Sequence, residues 1–484
     1  MDRFRRVAAV LAVTAVTVAG CSRPTTTIEP VPTTTPPPAT GDFAPGADGL
    51  GDRYYPTYGN GGYDVQNYDL DVTYDPSTDV LDGVATITAN ATSNLSRFNL
   101  DFTGLTTKSV KVDGADARAE QKDAELEVTP PQGIPSGAKF TTTIVYNGVP
   151  KGYSAPQLGD VGFLSTDDGA IAIGEPEVAA SWYPVNDHPR DKATYTIKIT
   201  APDALAALSN GVLQDKKAAA KAGYTTWTWS ESVPMASYLA TVIIGTYRVQ
   251  ESTHDGKPVM TAVQTSLPTT IDTTLARTPE IIDYLSSVFG PYPFEAMGGI
   301  VIADQRIHFA LENQSRPVYS RFFFGRGDDS SVLAHELSHQ WYGDSVSVNE
   351  WNEIWLNEGF ATYGEWLWTG SQGGATPQQR FDQSYGAAAG SWATPTGAPG
   401  GPASMFDSFA VYTRGAMTLH ALRVTVGDDA FFKILKAWAE EKKNGNGTSA
   451  EFIALSERIS GQQLDQLFND WLYGTVRPPR PTAR

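Results

Sequence analysis

Residues 335–365 read HELSHQWYGDSVSVNEWNEIWLNEGFATYGE, and the spacing within them decides the class of the protein. His335 and His339 stand four apart, so on a helix they share one face and can offer a ring nitrogen each to one ion. Glu336, beside the first of them, is placed to act as general base on a water at that ion. Val332, Leu333 and Leu337 give the same helix an apolar back. The bland alternative is a helix with two structural histidines. A catalytic zinc needs a third protein ligand and one position left open. One known continuation puts glycine at 342 and histidine at 345, but Tyr342 and Ser345 stand there. Glu358 fits instead, far enough along for a turn and the entry to a second, antiparallel helix. A surface glutamate would sit poorly among Trp355, Leu356 and Phe360, and a carboxylate in apolar surroundings needs a cation as partner. The expectation is one Zn2+ held by His335, His339 and Glu358.

Outward from this stretch, helical spacing dominates residues 253–484. Ile271 to Phe289 carries an apolar stripe and stops at Gly290-Pro291, and similar stripes cover Ala430–Glu441 and Leu464–Tyr473. Gly386–Pro402, rich in Gly, Ala and Pro, reads as a surface loop. From Tyr54 to Arg248 the period is two, as in Tyr68–Tyr74, Val84–Thr88 and Thr194–Ile199. Tyr238–Ile244, apolar throughout, reads as a strand buried on both faces. The expected order is an all-β domain over residues 49–252, then a mostly helical domain over 253–484.

The chain has 484 residues, 36 Lys+Arg against 54 Asp+Glu and a net charge of −18, which disfavours a nucleic-acid partner. Its single cysteine, Cys21, excludes an intramolecular disulfide framework and a cysteine-rich metal cluster. Residues 1–21 read as an export signal: Arg3, Arg5 and Arg6, an apolar Val7–Ala19, then Val18-Ala19-Gly20-Cys21. That last box resembles the bacterial lipoprotein signal, with Cys21 lipidated, which implies anchoring on the outer face of the cell membrane, or secretion if the anchor is unused. Residues 22–48, dense in Pro and Thr, read as a disordered spacer.

Taken together, these motifs resemble the zinc aminopeptidases of the aminopeptidase N and leukotriene A4 hydrolase family. The resemblance covers about residues 55–477 and implies a saddle-like N-terminal β domain and a thermolysin-like catalytic domain. Phe309-Ala310-Leu311-Glu312-Asn313 stands where the family has Gly-x-Met-Glu-Asn, so Glu312 would bind the free α-amine of a substrate, with Asn313 beside it. Val411-Tyr412-Thr413-Arg414-Gly415 matches the family's Tyr-x-x-Gly, so Tyr412 would donate to the oxyanion. Glu175, nine positions before Pro184, would be the amine-binding side chain sent from the β domain. Fuller members carry a further helical C-terminal domain over the cleft; this chain stops after Trp471-Leu472-Tyr473-Gly474, which resembles a short lipoprotein form with an open cleft.

The activity this implies is removal of N-terminal residues from peptides, with Glu336 as base. Two alternatives stay open: an endopeptidase or epoxide hydrolase on the same zinc architecture, and a catalytically silent binding lipoprotein. His308, Asp344, Asn357, Arg414 and His420 are better read as packing or hydrogen-bonding residues than as participants.

Overall fold

The computed structural model describes residues 42–325 and 330–482. The export signal, Cys21 and most of the spacer lie outside them. Residues 42–48, expected within the spacer, are part of the β domain. Ala44–Pro45 pair in parallel with Leu95 and Arg97, and Gly46 N donates to the Arg97 carbonyl at 2.8 Å. The Phe43 ring lies so close to Gly133 that a Cβ there would come within 2.5 Å of it.

The β domain is built on an eight-stranded sheet in the order 212–218, 224–236, 192–202, 63–75, 80–91, 139–148, 106–112, 115–116. Along Tyr63–Asp75, Tyr68, Leu70, Val72 and Tyr74 point inward and are buried, the period of two that a half-buried strand requires. A four-stranded sheet (44–45, 95–101, 125–129, 118–122) and a five-stranded sheet (153–155, 159–165, 170–173, 242–245, 206–209) complete the domain. Of the run expected as one strand, only Val242–Gly245 joins a ladder, while Ser237–Leu239 form a 3-10 turn. Polar hooks take the turn out of the sheet: Ser237 Oγ donates to Asp187 and Tyr238 OH to Glu312.

A second five-stranded sheet (247–254, 257–264, 297–302, 318–320, 310–311) belongs to the catalytic part. Its first two strands form a hairpin through Asp255 and Gly256, both at positive φ, the geometry of a tight primed turn. The division expected at 252/253 therefore falls inside a strand, and the sheets change over at Thr246. The edge strand Ala310–Leu311 runs antiparallel to Val318–Ser320 and delivers Glu312 at its end.

Helices follow: α1 (Thr270–Leu275), α2 (Thr278–Phe289), α3 (Ser330–His339), α4 (Trp355–Ser371), α5 (Pro377–Tyr385), α6 (Arg414–Val426), α7 (Asp428–Glu441) and α8 (Ser449–Ser460). The stripe expected as one helix over 271–289 is broken into α1 and α2. Pro279 has no N–H to continue a helix, but it suits the first turn of a new one. Likewise 464–473 is a short helix, Asp465–Phe468, that widens into a π turn over Asn469–Tyr473. No helix among the described residues is long and apolar enough to cross a membrane.

Two close approaches set the helix positions. At Gly364 of α4 a Cβ would lie 2.1 Å from Ser338 Oγ of α3. At Gly359 of α4 and Gly415 of α6, a Cβ on either would lie within 2.9 Å of the other's backbone. Only glycine lets α4 sit this near both neighbours.

Candidate metal centre and active site

α3 packs Leu333, Ala334 and Leu337 into the core and turns His335, Glu336 and His339 to a cavity. Trp368 Nε1 of α4 donates to Ser330 Oγ at 3.0 Å, tying the start of α3 to its neighbour. Glu358 comes from the first turn of α4.

His335 Nε2, His339 Nε2 and Glu358 Oε2 form a triangle. Its edges are 3.3 Å between the imidazoles, 3.3 Å from His335 to Glu358 and 3.4 Å from His339 to Glu358. Donors about 2.0–2.1 Å from a tetrahedral zinc stand about 3.3–3.4 Å apart, so the three fit one zinc with a fourth position open to the cavity. The far nitrogen of His339 is also oriented. His339 Nδ1 faces the Tyr342 carbonyl at 3.1 Å, which puts the N–H there and the lone pair on Nε2. His335 Nδ1 lies 3.8 Å from Glu365 Oε2.

Charge is concentrated here. Burial opposes ionisation of Glu358, and it is as protonated imidazoles that His339 and His335 outweigh it and hold the carboxyl down. Glu336 is pushed up to about 7, first by burial, with Glu312 and Glu358 adding to the rise against the two imidazoles.

The cavity, about 430 Å³, is lined by Glu175, Glu312, Glu336, Tyr412 and the three donors. Leu158, Phe309, Leu311, Phe323 and Val332 supply its apolar wall. Glu312 is buried and accepts from Tyr238 OH at 3.1 Å. One ligating atom each of Glu312, Glu336 and His339 lie within 4.8 Å of one another. Glu175 is 3 % exposed; burial, then Glu312, Glu358 and Glu336, pushes its carboxyl well up.

Tyr412 sits in a π turn, Ser408–Thr413, that leads into α6. Such turns recur at functional sites because the extra residue re-aims a side chain. Its ring lies parallel to the His335 imidazole, centroids 6.0 Å apart. Asp407 caps the turn, and the buried guanidinium of Arg414 anchors it by donating to the carbonyls of Trp392, Thr394, Asp470 and Gly474. Thus 386–402, expected as a surface loop, has Trp392 fully buried as a buttress of this turn.

Asn313 does not line the cavity. Its Nδ2 donates to the Leu239 carbonyl at 2.8 Å, so it fastens the Glu312 loop to the β domain. His308 lines the cavity, stacked on Phe322. Asn357 adjoins His339 across Gly343, and Asp344 accepts from Gln340. His420 binds Tyr363 and Gln378 and belongs to the packing. Sequence reasoning passed over Glu365, although it lies seven residues, two helical turns, beyond Glu358 on the same face. The Tyr342 carbonyl carries no side-chain signal at all.

Comparison with known proteins agrees with this geometry. Residues 273–471 match the peptidase family M1 domain and residues 65–239 the peptidase M1 N-terminal domain. The chain is 27% identical to glutamyl aminopeptidase of Rattus norvegicus over 343 residues, 64% of this chain and 36% of that one. It is 26% identical to aminopeptidase N of Lactobacillus helveticus over 457 residues, 87% of this chain and 51% of that one. It therefore spans between about a third and a half of the length of these curated relatives. Among solved structures, an M1 zinc metallopeptidase from Deinococcus radiodurans superposes with a TM-score of 0.82 at 28% identity, covering 90% of this chain and 99% of that one. A mutant of it bound to a Tyr-Ser-Ala substrate gives 0.81 at 28% identity, with the same coverage. Both halves of the fold and the His-His-Glu donor set place the chain in peptidase family M1, among its zinc metallopeptidases.

Proposed function

We propose that this protein is a zinc aminopeptidase, removing residues from the free N-terminus of peptides. The observation that carries this is the clustering of Glu312 with Glu336 and His339 within 4.8 Å, with Glu175 lining the same cavity. Buried carboxylates are costly without a cation, and among the described residues neither Glu312 nor Glu175 pairs with a lysine or arginine. A peptide's α-ammonium is a cation of the right size. From that nitrogen to the first carbonyl carbon is only about 2.5 Å, so an amine held at Glu312 brings the first peptide bond, and no later one, to Glu336.

Zinc, when bound by His335, His339 and Glu358, supplies Lewis acidity that polarises the carbonyl and acidifies water. Glu336 takes the proton of the attacking water and returns it to the leaving amine. Tyr412 donates from its phenol to the developing oxyanion. Glu312 and Glu175 hold the ammonium, and the apolar wall from Leu158 to Val332 receives side chains of the substrate.

The test is a matched pair of peptides, free and N-acetylated, offered to wild type and to Glu312→Ala. Wild type should prefer the free peptide by at least about 100-fold, and Glu312→Ala should lose most of that preference. Equal cleavage of both by wild type would point to an endopeptidase. No turnover of either by zinc-loaded protein would point to a binding protein.

We propose further that the chain is exported and held at the outer face of the cell membrane through lipidated Cys21. The support is the sequence alone, the arginines at 3, 5 and 6 and the box Val18–Cys21, since Cys21 lies outside the described residues. Cys21→Ser should release the protein from the membrane fraction, and unchanged fractionation would refute the anchor.

A further inference from the structure

Gln340 follows the zinc ligand His339 directly and is fully buried. Its amide is bonded through both nitrogen protons and through its oxygen, the longest contact sharing the Tyr292 proton with the Ala296 carbonyl. Nε2 donates to the Glu312 carbonyl at 2.9 Å and to Asp344 Oδ2 at 2.7 Å, while Oε1 accepts from Ser315 N at 2.7 Å and from Tyr292 OH at 3.4 Å. Two of these four bonds go to the backbone of the loop that carries Glu312.

That loop is held under strain. Ser315 sits at φ +66, in the left-handed region, which crowds the Cβ of a side-chain-bearing residue against the following carbonyl oxygen. Such a conformation persists only where surroundings over-determine it. Ser315 is gripped from both sides, by Gln340 on its N–H and by Gly211, whose N–H donates to its Oγ at 2.7 Å. The β domain supplies the rest of the grip: Asn210 Nδ2 donates to the Gln314 carbonyl at 3.0 Å, and Asn313 Nδ2 to that of Leu239. Behind Gln340, Lys192 of the β domain donates to the carbonyls of Asp344 and Ser345 at 2.6 and 3.0 Å.

We propose that Gln340 is the positioning residue that sets the reach of the site. It fixes the Glu312 loop at one distance from the zinc ligand beside it, and so determines which peptide bond meets Glu336. This rests on the aminopeptidase reading. Gln340 touches neither substrate nor metal, and its effect is confined to the register between amine and scissile bond. No other residue of its size can replace it. Methionine keeps the length without the bonds; glutamate keeps the shape and the accepted bonds but loses both donations, to Glu312 and to Asp344, and sets a second carboxyl against Asp344.

The experiment uses the zinc-loaded full chain as wild type and Gln340→Met, or Gln340→Glu should Gln340→Met not fold. Zinc per chain is measured first. Affinity for the uncleaved amino acid L-tryptophan is then measured by calorimetry, alongside kcat and KM for free and N-acetylated reporters. The variant should keep one zinc per chain, bind L-tryptophan at least tenfold more weakly, and lose at least tenfold in its ratio of free to acetylated cleavage. Loss of zinc, an equal fall on both reporters, or unchanged L-tryptophan affinity would overturn the proposal. A wild type that already cuts both reporters equally would instead sink the aminopeptidase reading, and shows itself before any variant is made.

Discussion

Gly415→Ala sets two opposed expectations against each other. On propensity alone, replacing a helical glycine by alanine stabilises by about 1 kcal/mol. The structure reverses the sign. The new Cβ would stand 2.8 Å from the Gly359 Cα, against about 3.5–4.0 Å for an ordinary carbon–carbon contact, so α4 and α6 must part by about 1 Å. The atom struck is backbone, which cannot rotate away. Overpacking of this kind costs about 1–3 kcal/mol, leaving a net loss of roughly 1–2 kcal/mol at the upper half of that range. The displacement also falls beside Glu358 on α4 and near Tyr412 at the head of α6. Metal ligands tolerate only about 0.2 Å, and a 1 Å misplacement of reacting groups costs on the order of 100-fold in rate. Urea unfolding, zinc content and reporter turnover together give the reading. A Gly415→Ala protein as stable as wild type, or more so, with undiminished turnover, would refute the claim that these helices are at closest approach.

Glu336→Gln should keep one zinc per chain by elemental analysis while turnover falls by about 10²–10⁴, since only the base is lost. Tyr412→Phe should lose about 10²–10³ in kcat with zinc content and unfolding midpoint unchanged, the signature of a donor needed only at the oxyanion. Asp52 supplies a test of stability against pH. Burial pushes its carboxyl up, but His188 and the N–H groups of Trp351, Tyr54 and Tyr55 outweigh this and hold it down to about 2, below the ordinary 3.8. A depressed folded value means stability present above about pH 4 and lost as pH falls through 2. The gap in unfolding free energy between wild type and Asp52→Asn should therefore be widest above pH 4 and close towards pH 2. A gap that widens on acidification would contradict the assignment.

What could be read from the residues follows from the range of the forces involved. The donor triangle was legible because His335 and His339 depend only on helical periodicity, and Glu358 on a carboxylate among Trp355, Leu356 and Phe360. The order of domains was legible because a period of two gives way to 3.6. The break between α1 and α2 was marked by Pro279 and overlooked because the apolar stripe continues through it. Other features depend on partners far away in the chain. Tyr238 looks like any buried aromatic until its hydroxyl meets Glu312, 74 residues on. Asn313 reads as a substrate contact until Leu239 offers its carbonyl. Arg414 binds four carbonyls, and carbonyls are the same at every position, so no composition announces them.

The Glu312 loop has a consequence for how such proteins can be rebuilt. On the aminopeptidase reading proposed above, its hold on the substrate amine draws on Tyr238, Asn210 and Gly211 from one domain and on Gln340 from the other. Neither half owns the ruler. A chimera joining this β domain to a foreign catalytic half would therefore inherit a complete metal centre and a miscalibrated gauge, cutting where its donor never cut. Recombination that respects the visible border between sheets, at Thr246, would still separate Tyr238, Asn210 and Gly211 from the loop they hold.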